Sequence, residues 1–503
     1  MEVHTVESRP AGYAYVLETL HLKGMPHWHR SYVSLLKTQN KRIQDGIIVQ
    51  TYSSQYWPGE GLVSHLEFAL KYDGVSLSLL AHIFNHMNQK ELSDYLMSKP
   101  TGKYARRLWF FYEFLTDNRL PVDDVKIGNY VDALEGKDYY TISLGEKSSR
   151  HRVVNNLLGP NSFCPIIRKT EELSQLDVED FTARCEAIVA SYSRELIRSA
   201  QNYFYNKETK SSFSIEHINP NASRTRDFIS LLELAGKEDF IEKRKLINLQ
   251  NRIVDERFKD DEYRNSQNYV GQSVSYQNEI IHFISPKPED ISSLMSGLIT
   301  SHQMMMNAHI SPVVHAAVIS YGFVFLHPFE DGNGRIHRFL IHNILNLHHM
   351  VPSNLMFPIS AVMLKNPHNY DDSLEAFSRP LLTHIDYILD ETGRLQIKNE
   401  TSLWYKYIDM TYQSEVLYWF VNKTIDEELV EELNFLASYE TTKKAIQAII
   451  DMPDRLIDLF IKLSLQNKGI LSTNERSAYF DFLTDDELAK MEKAVREGYN
   501  SST

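Results

Sequence analysis

The sequence predicts a mainly α-helical protein, and three observations carry that reading. Apolar residues recur at helical spacing through most of the 503 residues. Residues 312–326, PVVHAAVISYGFVFL, form a nearly unbroken apolar run of helix length. A β-like pattern is confined to short stretches, chiefly VGQSVSYQNEIIHFI at 270–284.

Composition narrows the function classes. Hydrophobic residues make up 43% and charged residues 24%, the balance of a soluble globular chain long enough for roughly three domains. A net charge of −13 argues against nucleic acid as the main partner. Two cysteines, Cys164 and Cys185, support neither a disulfide framework nor a zinc site, so a reducing cytoplasm is the expected home. The opening MEVHTVESRP lacks the basic and apolar regions of a signal peptide. The 312–326 run is too short to span a membrane and contains His315, so it reads as a buried core helix.

In chain order, residues 1–60 carry Trp28, Trp57 and many tyrosines and allow strand or irregular structure. Leu77, Leu80, Ile83, Phe84 and Met87 mark an apolar helical face within 66–97. Tyr104–Leu115 reads as an aromatic helix, with Lys103, Arg106 and Arg107 on its solvated face. Loops and short strands follow over 121–170, then helix over 171–210. Residues 221–265 read as charged helix with a stripe of Phe228, Leu231, Leu232 and Leu234. Pro286 and Pro288 separate the β-like stretch from another helix that ends in three methionines. Beyond about 390 the pattern is helical, as a small bundle or a winged helix. The domains expected are 1–200, mainly helical; 201–245, linker helices; 246–390, a core that contains the 312–326 run; and 391–503, a helical C-terminal domain.

His327–Arg338, HPFEDGNGRIHR, concentrates the chemistry. Gly332, Asn333 and Gly334 form a small-residue turn where backbone N–H groups can approach an anion, and the helix N-terminus behind adds partial positive charge. Arg335 and Arg338 lie three apart on one helical face and can both grip phosphate oxygens. Asp331 at the mouth suits Mg²⁺, which favours carboxylate, phosphate and water oxygens. His327 can take a proton from an incoming hydroxyl, and Phe329 plugs the core. Apolar Ile336, Leu340, Ile344 and Leu347 continue as one helical stripe. Together these residues describe a nucleotide polyphosphate site with a base beside it.

That stretch resembles the Fic family motif, HxFx(D/E)GNGRxxR, at every specified position. The resemblance implies a helical core with a short β-hairpin flap and transfer of AMP from ATP to a Ser, Thr or Tyr hydroxyl of a target protein. It implies His327 as general base, Asp331 as holder of Mg²⁺, Asn333 with the backbone of Gly332 and Gly334 on phosphate oxygens, and Arg335 and Arg338 on the leaving phosphates. Tyr370 falls where the family often places an aromatic residue near adenine. The segment aligned on Pro286-x-Pro288 makes Asn278, Glu279, Ile280 and Ile281 the core of the flap that docks the target strand. Upstream, Ser212–Glu216 fits five positions of the inhibitory pattern (S/T)xxxE(G/N), with His217 where the family has Gly or Asn. Glu216 is then expected to pair with Arg338 and occupy the place of the γ-phosphate. The target protein, self-modification, self-association and the preferred base stay open. Two rival readings are removal of AMP by the same site and a nucleotide-sensing interaction module.

Overall fold

A computed structural model describes residues 8–36, 39–275, 278–353, 355–390 and 392–500. The described residues are mainly helical with four small sheets. They group into two compact units. One comprises Met1–Glu179, Leu234–Leu347 and Pro367–Tyr418, and the other Asp180–Glu233, His348–Asn366 and Trp419–Thr503.

The first unit begins with a four-stranded sheet. Strand His29–Ser34 lies between Ser8–Ala11 and Ile47–Tyr52, and Asn40–Gln44 pairs on the far side of Ile47–Tyr52. Helices Leu62–Tyr72, Leu77–Phe84, Gln89–Ser98 and Lys103–Thr116 follow and share one core with Leu66, Leu80, Ile83, Leu108 and Phe111 at its centre. Of the expected solvated face of the aromatic helix, Lys103 is exposed and the two arginines are not. Arg106 and Arg107 are 6% and 1% exposed. Arg107 Nε donates to Ala133 O at 2.9 Å and Arg106 Nη1 to Asn129 O at 2.7 Å. Their charge secures the loops and short strands of the next stretch through carbonyls, which meets part of the hydrogen-bonding demand that burial places on the guanidinium donors.

The charged stretch after 221 is less continuous than its composition suggests. Helix Ala222–Leu232 ends, helix Lys243–Ile253 follows, and from Val254 the chain is irregular apart from one short turn at Glu256–Phe258. The expected helix to 265 is absent because the backbone there is committed elsewhere. Arg264 N–H donates to Pro328 O at 2.8 Å, and Asp260 N–H to Asn251 Oδ1 at 3.0 Å.

The hairpin Tyr269–Ser275 with Asn278–Ile284 leads into helix Pro288–Asn307 and then Pro312–Leu326. The latter is buried all round from Val313 to Leu326, the condition that makes an unbroken apolar run stable as a helix. It packs directly on helix Asn333–Leu347. Helix Pro367–Leu382 lies against strand Asn278–Ile284.

A second hairpin, Tyr387–Leu389 with Leu395–Ile397, replaces the helix expected after 390. Its turn is built by Asp390, whose Oδ1 accepts from the N–H groups of Thr392 and Arg394, with Gly393 at φ +77. A left-handed residue after an Asx-type bond is turn chemistry, not helix chemistry.

In the second unit, helices Leu429–Ile449, Asp454–Gln466, Thr473–Tyr479 and Asp485–Asn500 close around Ile446, Ile457, Phe460, Phe480 and Met491. Among the described residues no strand follows Ile397, so the C-terminal part is a bundle. No described helix is long and apolar enough to cross a membrane. Cys164 and Cys185 are both unbridged and buried, and burial pushes both thiols up to about 12.

Candidate active site

The loop from His327 to Asn333 is a turn held by its own side chains. Helix Pro312–Leu326 stops at His327, which takes the left-handed conformation with φ 49 and ψ 57. A non-glycine residue there carries a cost of roughly 1–2 kcal/mol, which the surroundings must hold in place. His327 N–H donates to Phe323 O at 3.0 Å, and His327 Nδ1 lies 3.0 Å from Val324 O. Only a protonated Nδ1 can bond a carbonyl, so this contact selects the tautomer with the lone pair on Nε2.

Phe329 is fully buried, its ring 5.7 Å from that of Tyr263 and 6.2 Å from that of Phe323. Asn333 clamps the same residue at both ends. Its Nδ2 donates to Phe329 O at 2.7 Å and its Oδ1 accepts from Phe329 N–H at 3.1 Å. Asn333 is 2% exposed. The side chain expected on phosphate is therefore engaged in folding the loop, and the backbone amides are the groups the turn presents.

Gly332 has φ +92, and a Cβ there would sit 2.8 Å from Val254 Cγ1. Both backbone sign and space require glycine. Helix Asn333–Leu347 starts immediately after, with Ile336 N–H bonded to Gly332 O at 2.9 Å. Its first turn thus points at the loop mouth, where an anion gains from the N–H groups and the helix dipole.

Arg335 and Arg338 are buried on this helix. Arg335 Nη2 reaches Asp331 Oδ1 at 2.6 Å, and Nη1 reaches Ile253 O at 3.4 Å. Asp331 Oδ1 also accepts from Gly332 N–H at 2.7 Å, while its side chain stays 38% exposed. Arg338 Nη1 contacts Tyr370 Oη at 3.4 Å, the outer limit of a hydrogen bond and readily exchanged for a phosphate oxygen. Tyr370 is 6% exposed and faces Arg338 and the ring of His337. The next turn of its helix instead contributes Asp371, Leu374, Glu375 and Ser378 to an open cleft.

That cleft has a volume of about 330 Å³. His327 is on its wall, beside Val324 and Phe325 from the same helix and Val270, His282 and Phe283 from the hairpin. The hairpin pairs Tyr269 with Ile284, Gly271 with Ile281 and Gln272 with Ile280, with irregular register at Val270/Gly271 and Ser273/Ser275. It is a two-stranded sheet, so among the described residues neither outer edge is paired to a strand. Ile280 is 53% exposed and Ile281 half-buried. The side chains of Asn278 and Glu279 lie outside the described part of the structure.

His327, Asp331–Arg338, Tyr370 and the hairpin all fall in the first compact unit; Ser212 and Glu216 fall in the second. Ser212 is fully buried in the last turn of helix Arg194–Ile215, and Glu216 is its half-buried C-cap. His217 N–H donates to Ser214 O at 2.9 Å and Ile218 N–H to Phe213 O at 3.1 Å, with His217 at φ 56. This is a Schellman ending, which favours Gly or Asn at the left-handed position. The sixth place of the inhibitory pattern has Gly or Asn in the family, and His217 departs in identity while keeping that conformation.

Three residues that shape the site escaped the motif. Arg264 donates from Nε to His327 O at 2.7 Å. Gln250, fully buried, donates to Phe258 O at 2.7 Å and Asp331 O at 3.4 Å. Asn268 Nδ2 donates to Phe329 O at 3.2 Å. All three sit in charged or polar stretches where nothing in composition distinguishes them from surface residues.

Among the described residues no group of three His, Cys, Asp or Glu could hold a metal ion. One partly exposed carboxylate, Asp331, fits a Mg²⁺ that arrives with a triphosphate and completes its shell from phosphate and water oxygens.

Residues 240–345 match the profile of the Fic/DOC family. Among curated proteins, the chain is 29% identical over 167 residues to "Protein adenylyltransferase Fic" of Culex quinquefasciatus, covering 32% of this chain and 29% of that protein. The protein of the same name from Aedes aegypti is also 29% identical over 167 residues, covering 32% and 30%. The match thus spans under a third of the length of these relatives. Among solved structures, a Fic family protein from Desulfovibrio desulfuricans G20 is 17% identical, covering 61% of this chain and 93% of that chain with a TM-score of 0.33. On the profile match and the complete motif, residues 240–345 of this chain form a Fic/DOC family domain.

Proposed function

We propose that this chain transfers AMP from ATP to a hydroxyl side chain of a target protein, and that Glu216 restrains the reaction. The observation that carries the reading is His327. It stands on the wall of the cleft with Nδ1 bonded to Val324 O, at the head of a loop whose N–H groups and two arginines suit a polyphosphate.

In the reaction, His327 Nε2 takes the proton of the target hydroxyl as its oxygen attacks the α-phosphorus. The bond from that phosphorus to the bridging oxygen breaks, and pyrophosphate leaves. Backbone amides at Gly332–Gly334 and the guanidiniums of Arg335 and Arg338 bind the phosphate oxygens, the two arginines exchanging Asp331 and Tyr370 contacts for them. Asp331 would hold the Mg²⁺ that comes with ATP, which neutralises phosphate charge. Catalysis rests on positioning and charge stabilisation. The open hairpin edge supports docking of the target as an added strand, with Asn278–Ile281 as its core. What supports the inhibitory part is the Ser212–Glu216 pattern and its place at a helix end. We place the activity in the cytoplasm, on the reading of the two unbridged thiols.

The test uses the wild type and Glu216→Gly with ATP labelled at the α- or γ-phosphate. α-Label should appear on protein, rise at least about tenfold in Glu216→Gly, and fall by roughly 10²–10⁴-fold with an added His327→Ala, the range for loss of a general base. Label arriving only from the γ-position would make the chain a kinase. Absence of label with ATP still bound would favour AMP removal or nucleotide sensing.

A further inference from the structure

Between Ile253 and the hairpin the chain is almost without regular structure, yet from Arg264 to Asn268 it is laid along the catalytic loop rung by rung. Arg264 N–H donates to Pro328 O at 2.8 Å, and its Nε to His327 O at 2.7 Å. The Ser266 hydroxyl bonds the Glu330 carboxylate. Asn268 Nδ2 donates to Phe329 O at 3.2 Å. The next residue, Tyr269, opens the first strand of the hairpin.

Arg264 closes the arrangement from the other end. Its Nη1 donates to Ser266 O at 2.6 Å and its Nη2 to Pro286 O at 2.7 Å, two residues past the second strand. One guanidinium thus holds three carbonyls, belonging to the base, the strap and the far end of the hairpin. Arg264 is 4% exposed, and burial pushes its guanidinium down to about 10, so it stays charged at neutral pH. A rigid fork of donors can satisfy three carbonyls in fixed directions; a lysine ammonium offers a single point. His327 needs such a clamp because its left-handed backbone would relax if its carbonyl were released.

We propose that Arg264 is a positioning residue that makes the hairpin and the general base one rigid piece, so that a strand docked on the hairpin meets His327 Nε2 in register. The proposal rests on reading His327 as the base and the hairpin as the docking edge. It assigns Arg264 no contact with ATP, whose phosphates are served by Gly332–Arg338.

The experiment compares Arg264, Arg264→Lys and Arg264→Ala in the Glu216→Gly chain. Self-modification at saturating ATP should slow by about 10–100-fold in both variants, the scale of a base misplaced by about 1 Å, while KM for ATP changes less than about threefold. Millimolar guanidinium ion should restore part of the Arg264→Ala rate and leave Arg264→Lys unchanged. A second readout needs no activity. The His327 imidazole resonance, in protein labelled at histidine carbon and assigned by its loss in His327→Ala, should shift or broaden in both variants. Unchanged rates with an unchanged resonance would overturn the proposal. So would a joint loss of rate, ATP affinity and melting temperature without rescue, which marks a residue needed only for folding. If the Glu216→Gly parent transfers no AMP, the transferase reading fails, and the resonance still decides whether Arg264 positions His327. If Arg264→Ala does not fold, Arg264→Lys carries the comparison.

Discussion

Two of the helices that end at a left-handed non-glycine residue serve different ends. Helix Pro312–Leu326 ends at His327 with φ 49, and helix Arg194–Ile215 is followed by His217 with φ 56. Neither is a glycine, so both ends carry backbone strain. His327 is gripped from every side we can name. Phe323 O takes its N–H, Val324 O faces its ring, Arg264 holds its carbonyl and Phe329 anchors the residues that follow. His217 is exposed, and a pair of backbone bonds turns the chain there. The difference separates two uses of one local device. At His327 strain is stored and over-determined, as expected where geometry must be exact to a fraction of an ångström. At His217 two backbone bonds and an exposed side chain do no more than end a helix.

The comparison breaks most severely at Phe329. Deleting its ring in Phe329→Ala leaves a cavity under the loop, between Tyr263 and Phe323, and should cost about 3–5 kcal/mol. Chemical denaturation monitored by circular dichroism measures the loss. The matching truncation in the Ser212–His217 segment is Phe213→Ala, since Phe213 is also fully buried with its ring 5.4 Å from that of Phe228, and it should cost stability on the same scale. A Phe329→Ala protein within about 1 kcal/mol of the wild type would mean that the loop is held by its hydrogen bonds without the ring.

A third histidine sharpens the contrast on the pH axis. His337 is fully buried on helix Asn333–Leu347, edge-on to Tyr321 at 4.8 Å, and burial pushes its pKa down to about 3. Above pH 6.5 it is neutral in both folded and unfolded chains. Between about 6.5 and 3 the unfolded chain takes up a proton that the folded chain refuses. Stability from this group is therefore present above pH 6.5 and is lost as pH falls towards 3, by at most about 1.4 kcal/mol per pH unit. His65 and His82, each pushed down to about 4 by burial, add slopes of the same sign. Denaturation of wild type and His337→Leu should differ by a constant above pH 6.5 and converge in the variant's favour below it. Parallel curves down to pH 4 would show that His337 titrates normally.

How much of this was legible before any coordinates? The motif was, because glycine spacing, arginine spacing and a fully apolar run each constrain one local geometry. The helix before the loop, the turn at Gly332 and the helix after it follow from those residues alone. The strap was not legible, since Arg264 and Asn268 act through backbone carbonyls, and Ser266 through the Glu330 carboxylate, of a segment some sixty positions away, and partners so distant leave no trace in local side-chain patterning. Arg106 and Arg107 misled for the same reason. Their partners are carbonyls and one carboxylate on loops beyond residue 128, so a charged helical face looked like a wet one. The hairpin at 387–397 was missed because its turn is made by one aspartate and one glycine inside a stretch of helix-compatible residues. Asn333 was recognised by position, while the hold of its buried amide on both backbone ends of Phe329 was not foreseen.

The smallest effect tests the opening contrast directly. At His217, replacement by glycine removes the penalty of a Cβ in the left-handed region, worth roughly 1 kcal/mol, against a smaller loss from the freer unfolded chain. His217 is exposed, so little packing is forfeited. His217→Gly should therefore raise stability by up to about 1 kcal/mol, read as a higher melting temperature, and it completes the pattern as Glu-Gly. The Schellman bonds from His217 and Ile218 need only the backbone and persist. If Glu216 restrains the site through its aim, a firmer helix end should also keep basal self-modification at or below the wild-type rate. A destabilised His217→Gly protein would mean that the imidazole makes contacts that matter more than its backbone, and the two helix ends would then be alike after all.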